Sequence, residues 1–266
     1  MSDAATTHQA TQRLQGKHAL VTGGGSGIGA AIALALVEQG ARVTVLGRRM
    51  EPLQSLVAQH PETLQAVCAD VSDAAQVEAA VRDAQVRFGP IHILVNNAGQ
   101  AASAPFLKTD ASLLHQMLDV NLHGTWNCTQ AVLPQMLQAG WGRIVNVAST
   151  AGITGYAYVA AYCAAKHAVV GLTRSLALEV AKKGVTVNAV CPGYTETEIL
   201  RESIANVVAK TGRSEAEARA EFAKGNPQGR IVQPAEVADT VRWLCGESAS
   251  SITGQAIAVC GGEVMH

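Results

Sequence analysis

The chain has 266 residues, of which 48% are hydrophobic and only 15% charged, and its formal net charge is −1 at pH 7. A chain this apolar buries enough surface to offset its ordering entropy, which excludes a disordered protein. Near-zero charge and 4% aromatics supply neither the basic footprint nor the stacking platform of a nucleic-acid binder, nor a patch for an anionic membrane surface.

In chain order, residues 1–15 read as a polar extension without the basic start and apolar stretch of a signal peptide. Short β-branched runs then predict strands at 18–22, 42–46, 64–69, 91–95, 143–147, 185–190 and 255–259. Several are almost continuously apolar, as parallel strands buried on both faces are. Helical periodicity occupies the intervals at about 28–39, 50–59, 73–87, 110–138, 159–182 and 235–245. This alternation predicts a single α/β domain over 16–266, a doubly wound parallel sheet of Rossmann type with about seven strands and helices on both faces. Residues 194–230 break the rhythm. Charged, helix-prone and without a strand, they are expected as a lid excursion or as a solvated insertion. The longest apolar runs fall far short of the roughly 18 residues that cross a bilayer, so no membrane partner and a cytoplasmic location are expected. Six scattered cysteines without a CxxC pair are expected as reduced thiols, and eight histidines without ligand spacing give no expectation of a metal.

The chemistry-bearing residues follow the strands. The first strand runs into TGGGSGIG (22–29), where a helix opens. Glycines allow a tight turn and close backbone approach, and a helix N-terminus presents free N–H groups to a pyrophosphate. Gly23, Ser26, Gly27 and Ile28 are the candidates. The second strand ends in Gly47-Arg48-Arg49, where an NAD-binding fold places an acid for the adenosine ribose. A guanidinium there grips a 2′-phosphate, so NADP (NADPH) is preferred over NAD, with Arg48 the clamp. The alternative is a pair of solvated loop charges. After the third strand, Asp70-Val71 offers a carboxylate to an adenine amino group or a helix N-cap. After the fourth stands Asn96-Asn97-Ala98-Gly99, a turn with room beside a cofactor. After the fifth comes Ser149, and 13 residues further Tyr162, with Lys166 on the same helix face at i, i+4. An ammonium beside a phenol is expected to lower the phenol's pKa and tune it as general acid and base, with Ser149 bonding the same substrate oxygen.

Taken together, TGGGSGIG, NNAG (96–99), Ser149, Tyr162-Cys-Ala-Ala-Lys166 and Pro192-Gly193 resemble the compact short-chain dehydrogenase/reductase family over about residues 16–262. The resemblance implies Tyr162 as proton donor and acceptor, Ser149 as the carbonyl-orienting residue, and Lys166 as ribose binder and pKa tuner. It implies Asn121 as holder of a water in the proton relay, the alternative being a polar residue that breaks a helix pattern. Asn97, Ala98 and Gly99 would line the cofactor, Pro192-Gly193-Tyr194-Thr195 would embrace the nicotinamide, and Thr195 and Thr197 would reach the carboxamide or pyrophosphate. It also implies a homotetramer or homodimer built on the helices at 110–138 and 159–182, the alternative being that their small apolar stripes face only the chain's own sheet. NAVCPG (188–193), GRIVQPAEV (229–237) and VCGG (259–262) are similar to aromatic-polyketide ketoreductases and related 3-oxoacyl reductases, implying a small-molecule or acyl-thioester substrate on CoA or acyl carrier protein. The alternatives are a dehydrogenase of a free cyclic or aromatic alcohol and a non-catalytic cofactor-binding module. Tyr156 and Tyr158 either flank the substrate or serve as core and rim packing.

Overall fold

The strands β1 (His18–Thr22), β2 (Arg42–Gly47), β3 (Leu64–Cys68), β4 (Ile93–Asn96), β5 (Gly142–Val147), β6 (Val185–Pro192) and β7 (Ala256–Val259) form one sheet in the computed structural model, which describes residues 13–265. Their order is β3-β2-β1-β4-β5-β6-β7, and every pairing is parallel. Parallel neighbours need crossovers, and the helices supply them. On one face α1 (Gly27–Glu38), α2 (Met50–Val57) and α9 (Pro234–Cys245) bury Ile32, Leu36, Leu53, Val237 and Leu244 against Val21, Val45 and Val95. On the other, α3 (Ala74–Phe88), α5 (Gly124–Ala139) and α6 (Ala160–Val180) bury Val77, Val81, Val132, Met136 and Val180 against Leu20, Leu94 and Ile144. Successive strand residues thus serve opposite faces, and both faces are covered.

Two expectations change in detail. The helix expected over 110–138 is two helices, α4 (Ala111–Leu118) and α5, joined by a π-helical turn at Asp119–His123. The extra residue in that turn rotates Asn121 inward, where it is 1% exposed. The extension expected at 1–15 falls mostly on residues 1–12, which lie outside the described residues. Leu14, however, is buried in the core and its N–H bonds the Gln39 carbonyl, so packing begins before residue 16.

The 194–230 excursion forms α7 (Glu198–Thr211) and α8 (Glu215–Ala223), started by a Thr197 cap and a Ser214–Glu217 capping box. Leu200, Ile204, Ala218 and Ile231 give it an apolar cluster of its own. A bridge between Thr195 and Val232 ties its two ends together beside the sheet. Among the described residues no helix is long and apolar enough to cross a membrane.

Candidate active site

Strand order reverses between β1 and β4, and a crevice opens at the carboxyl ends of the strands there, as doubly wound sheets require. The turn after β1 and the end of β4 are locked across it. The Thr22 hydroxyl accepts the N–H groups of Asn97 (3.0 Å) and Ala98 (2.9 Å), and the Asn97 side chain donates to the carbonyls of Thr22 (3.0 Å) and Gly23 (3.2 Å). Close approach explains the glycines: a Cβ on Gly29 would stand 2.1 Å from the Gly23 carbonyl oxygen. The first turn of α1 carries no acid, and its N-cap residue Ser26 makes no side-chain cap bond, so its N-terminal field is not neutralised locally.

At the far end of the crevice, the Arg48 guanidinium lies 3.9 Å from the Asp70 carboxylate, with its side chain 65% exposed. Arg49 turns the other way, to Glu198 on α7 at 3.4 Å. Asp70 does not cap α3; Asp73 does, accepting from Ala75 and Gln76. Burial raises the Asp70 carboxyl, but the Ser72 N–H and hydroxyl and the Arg48 charge hold it below the ordinary carboxylate range. Val71 packs beneath Gly124, where a Cβ would come within 2.6 Å of it.

At the near end, Tyr162 and Lys166 project from α6, and Ser149 stands at the turn after β5. Ser149 and Tyr162 line the same cleft, and the Ser149 hydroxyl oxygen accepts the Ala151 N–H at 3.1 Å. Lys166 is 5% exposed, and its ammonium donates to the Val147 carbonyl at 3.0 Å. The expectation of a lowered phenol pKa is corrected here. Burial pushes Tyr162 up to about 12, against the lowering effect of Ser149, and burial draws Lys166 down to about 8. Desolvation of the two charged forms outweighs their mutual attraction, because the ammonium bonds a carbonyl and sits 5.7 Å from the phenol ring centroid. Asn121, from the π turn, donates to the carbonyls of Gln100 (3.0 Å) and Met117 (2.9 Å). Gly99 lies between the two, where a Cβ would be 2.7 Å from Asn121 Oδ1 and 3.5 Å from Lys166 Nζ.

A single cleft of about 930 Å³ is lined by every residue expected for the site. Gly23, Ser26, Gly27 and Ile28 line one wall, Arg48, Asp70 and Val71 one end, and Asn97, Ala98, Gly99 and Asn121 the floor. Ser149, Tyr162, Lys166, Pro192, Gly193, Thr195 and Thr197 surround the other end. The Thr195 hydroxyl donates to the Gly193 carbonyl (2.9 Å) and its oxygen remains able to accept, whereas the Thr197 hydroxyl donates to the Thr195 carbonyl (3.2 Å) and accepts the Leu200 N–H as the cap of α7. Tyr156 and Tyr158 line the same cleft, and Tyr158 holds a φ of 68° while its carbonyl accepts the Ala104 N–H. Sequence reasoning did not single out the Thr22 hydroxyl. It also left aside Asn96, which bonds Thr129 (3.1 Å) and Asn146 (2.9 Å) beneath the floor. A polar residue ending an apolar strand was the available signal for both.

The chain matches the family described as short chain dehydrogenase over residues 17–207. It is 41% identical over 252 residues to a Streptomyces coelicolor protein provisionally named a ketoacyl reductase, covering 92% of this chain and 95% of that protein. D-beta-hydroxybutyrate dehydrogenase of Cupriavidus necator is 38% identical over 255 residues, covering 94% of this chain and 99% of the relative. Among solved structures, a variant of actinorhodin polyketide ketoreductase crystallised with NADPH superposes with a TM-score of 0.89 at 40% identity, covering 96% of this chain and 98% of that one. Levodione reductase superposes with a TM-score of 0.89 at 33% identity, covering 94% and 98%.

Proposed function

Because the chain belongs to the short-chain dehydrogenase/reductase family of oxidoreductases, we propose that it interconverts a ketone and a secondary alcohol with NADP(H), and that its preferred substrate is a 3-oxoacyl thioester on CoA or acyl carrier protein. The observation that carries the chemistry is the convergence of Ser149, Tyr162 and the buried Lys166 on one cleft. The narrower substrate reading is supported by the likeness to a protein named as a ketoacyl reductase and to a polyketide ketoreductase.

The residues present fit a dinucleotide. Gly23 and Gly29 let the turn close on itself and on Asn97, where a Cβ would collide, and the unneutralised N-terminus of α1 lines the cleft through Gly27 and Ile28. Gly23, Ser26, Gly27 and Ile28 would hold the pyrophosphate, Arg48 the 2′-phosphate, and Asp70 and Val71 the adenine. Asn97, Ala98, Gly99, Pro192, Gly193, Thr195 and Thr197 would enclose the nicotinamide half. When bound, NADPH supplies a hydride to the carbonyl carbon. Ser149 donates to the carbonyl oxygen and orients it; Tyr162 delivers the proton to that oxygen and takes it back in the reverse direction. A phenol raised by burial is fully protonated at neutral pH, which suits it to the donor role. The Lys166 ammonium bonds the ribose and supplies positive potential near the phenol, and Asn121 holds the relay water. A non-catalytic module would have no use for these four residues together.

A second reading, a free cyclic or aromatic ketone, is favoured by an edge-to-face run from Tyr156 through Tyr194 to Phe222 on the lid, and by the likeness to levodione reductase. An initial-rate panel with NADPH and NADH against acetoacetyl-CoA, a bicyclic ketone and a simple cyclic ketone separates the two. Absence of thioester reduction rejects the first reading, and turnover of neither class rejects both. Trp126 on α5 and Leu178 on α6 are 48% and 83% exposed, which supports self-association into a homodimer or homotetramer. A monomeric mass by light scattering at micromolar concentration rejects that assembly.

A further inference from the structure

Behind the substrate side of the cleft, four stretches distant in sequence meet at one carboxylate, that of Glu263 in the segment after β7. Its Oε1 accepts the hydroxyl of Tyr156 at 2.8 Å. The Tyr156 oxygen also lies 2.9 Å from the Thr150 hydroxyl. A phenol has one proton and the carboxylate is the stronger acceptor, so Tyr156 donates to Glu263 and receives from Thr150. The same carboxylate is wedged against two glycines. A Cβ on Gly193, in the turn after β6, would stand 2.9 Å from its Oε2, and one on Gly225, just past α8, 3.1 Å from its Oε1. From Tyr156 the contact continues outward. Its ring meets Tyr194 edge to face at 6.4 Å, and Tyr194 meets Phe222 of α8 at 4.9 Å. Tyr156 and Tyr194 line the cleft and Glu263 does not.

We propose that Glu263 is a positioning residue that fixes the Tyr156 ring as a wall of the substrate pocket and latches the end of α8 to that wall. It acts on substrate recognition through Tyr156, and leaves proton transfer to Tyr162. The inference rests on the ketone-reducing reading of the cleft. Without the carboxylate, Tyr156 keeps only the neutral Thr150 hydroxyl as a partner, and the weaker anchor no longer holds the ring in one place facing the substrate.

The test uses the full chain with Glu263→Ala, Glu263→Gln, Tyr156→Phe and the Glu263→Ala/Tyr156→Phe double variant. Glu263→Ala is expected to raise the ketone KM about tenfold, with kcat and the NADPH KM within about twofold. Glu263→Gln keeps an acceptor oxygen and restores most of the loss. Tyr156→Phe raises the ketone KM to a similar degree, and the double variant is no worse than either single one. Additive effects, an equal rise in the NADPH KM, or an unchanged ketone KM would overturn the proposal. If the wild type reduces no ketone in the panel, the ketone-reducing reading fails on its own. Hydrogen exchange at residues 154–159 and 215–225 then decides the latch: faster exchange in Glu263→Ala but not in Glu263→Gln supports it, and unchanged exchange overturns it.

Discussion

Arg48→Ala tests the cofactor preference where the structure gives the most to reason with. The guanidinium is the cationic group beside the carboxylate of Asp70, and at 65% exposure it is solvated and free to swing. A hydrogen bond to a charged group contributes about 1.5–3 kcal/mol. Solvent exposure and the competing Asp70 at 3.9 Å place this contact at the low end, about 1.5 kcal/mol, or roughly a tenfold rise in the NADPH KM. NADH has no 2′-phosphate, so its KM should move less than about twofold. Arg49 is the internal control. Its guanidinium is engaged by Glu198 at 3.4 Å, and Arg49→Ala should shift both cofactors alike and weakly. Because the contact is exposed, the NADPH-specific loss should shrink as ionic strength rises. The assay is initial rates with each cofactor varied at saturating ketone, at low and high salt. Equal factors for NADPH and NADH, or discrimination residing in Arg49, would refute the clamp.

Tyr162→Phe should lower turnover by roughly 10²- to 10⁴-fold while nucleotide fluorescence still reports NADPH binding; preserved turnover would remove Tyr162 from the proton path. Gly29→Ala should abolish saturable NADPH binding, since its Cβ would fall 2.1 Å from the Gly23 carbonyl oxygen. Gly184→Ala, with φ of 74° and a Cβ 2.1 Å from the Gly140 carbonyl oxygen at the amino-terminal ends of β5 and β6, away from the crevice, should lower Tm without changing the NADPH KM; the reverse pattern would contradict both. His18 is drawn down to about 4 by burial from an ordinary 6.5, so between those values the unfolded chain binds a proton that the folded chain does not. Its contribution is therefore full above pH 6.5 and is lost as pH falls toward 4, about 3 kcal/mol in all. Urea midpoints across pH 4–7 should show that slope, and His18→Gln should flatten it; an unchanged slope would assign it elsewhere.

Much of this molecule is legible locally. Strand and helix positions follow from apolar periodicity, and β1, β2, β5 and β6 fall within a residue or two of expectation because each buries a continuous run. The glycine turn and the Tyr162–Lys166 spacing are equally local, being set by backbone geometry over a few residues. Asn121 could be read as a polar interruption of the helix pattern, but not the π-helical turn at Asp119–His123, which goes with Asn121 finding carbonyl partners at Met117 and Gln100 and with Gly124 seating over Val71. The direction of the Tyr162 shift is set by burial, which spacing along the chain does not encode. Spacing predicts that a lysine is near, but not that burial will dominate its charge or that the Val147 carbonyl will hold it.

Residue type and short-range spacing were thus enough for the fold class and for the candidate residues that one cleft brings together, because backbone conformation and helix faces are decided within a few residues. Protonation, the pairing of Arg48 with Asp70, and the meeting of Glu263 with Tyr156 across more than a hundred positions were decided only by the folded chain. Desolvation and charge act through space, and the distances that govern them exist only once the sheet has assembled.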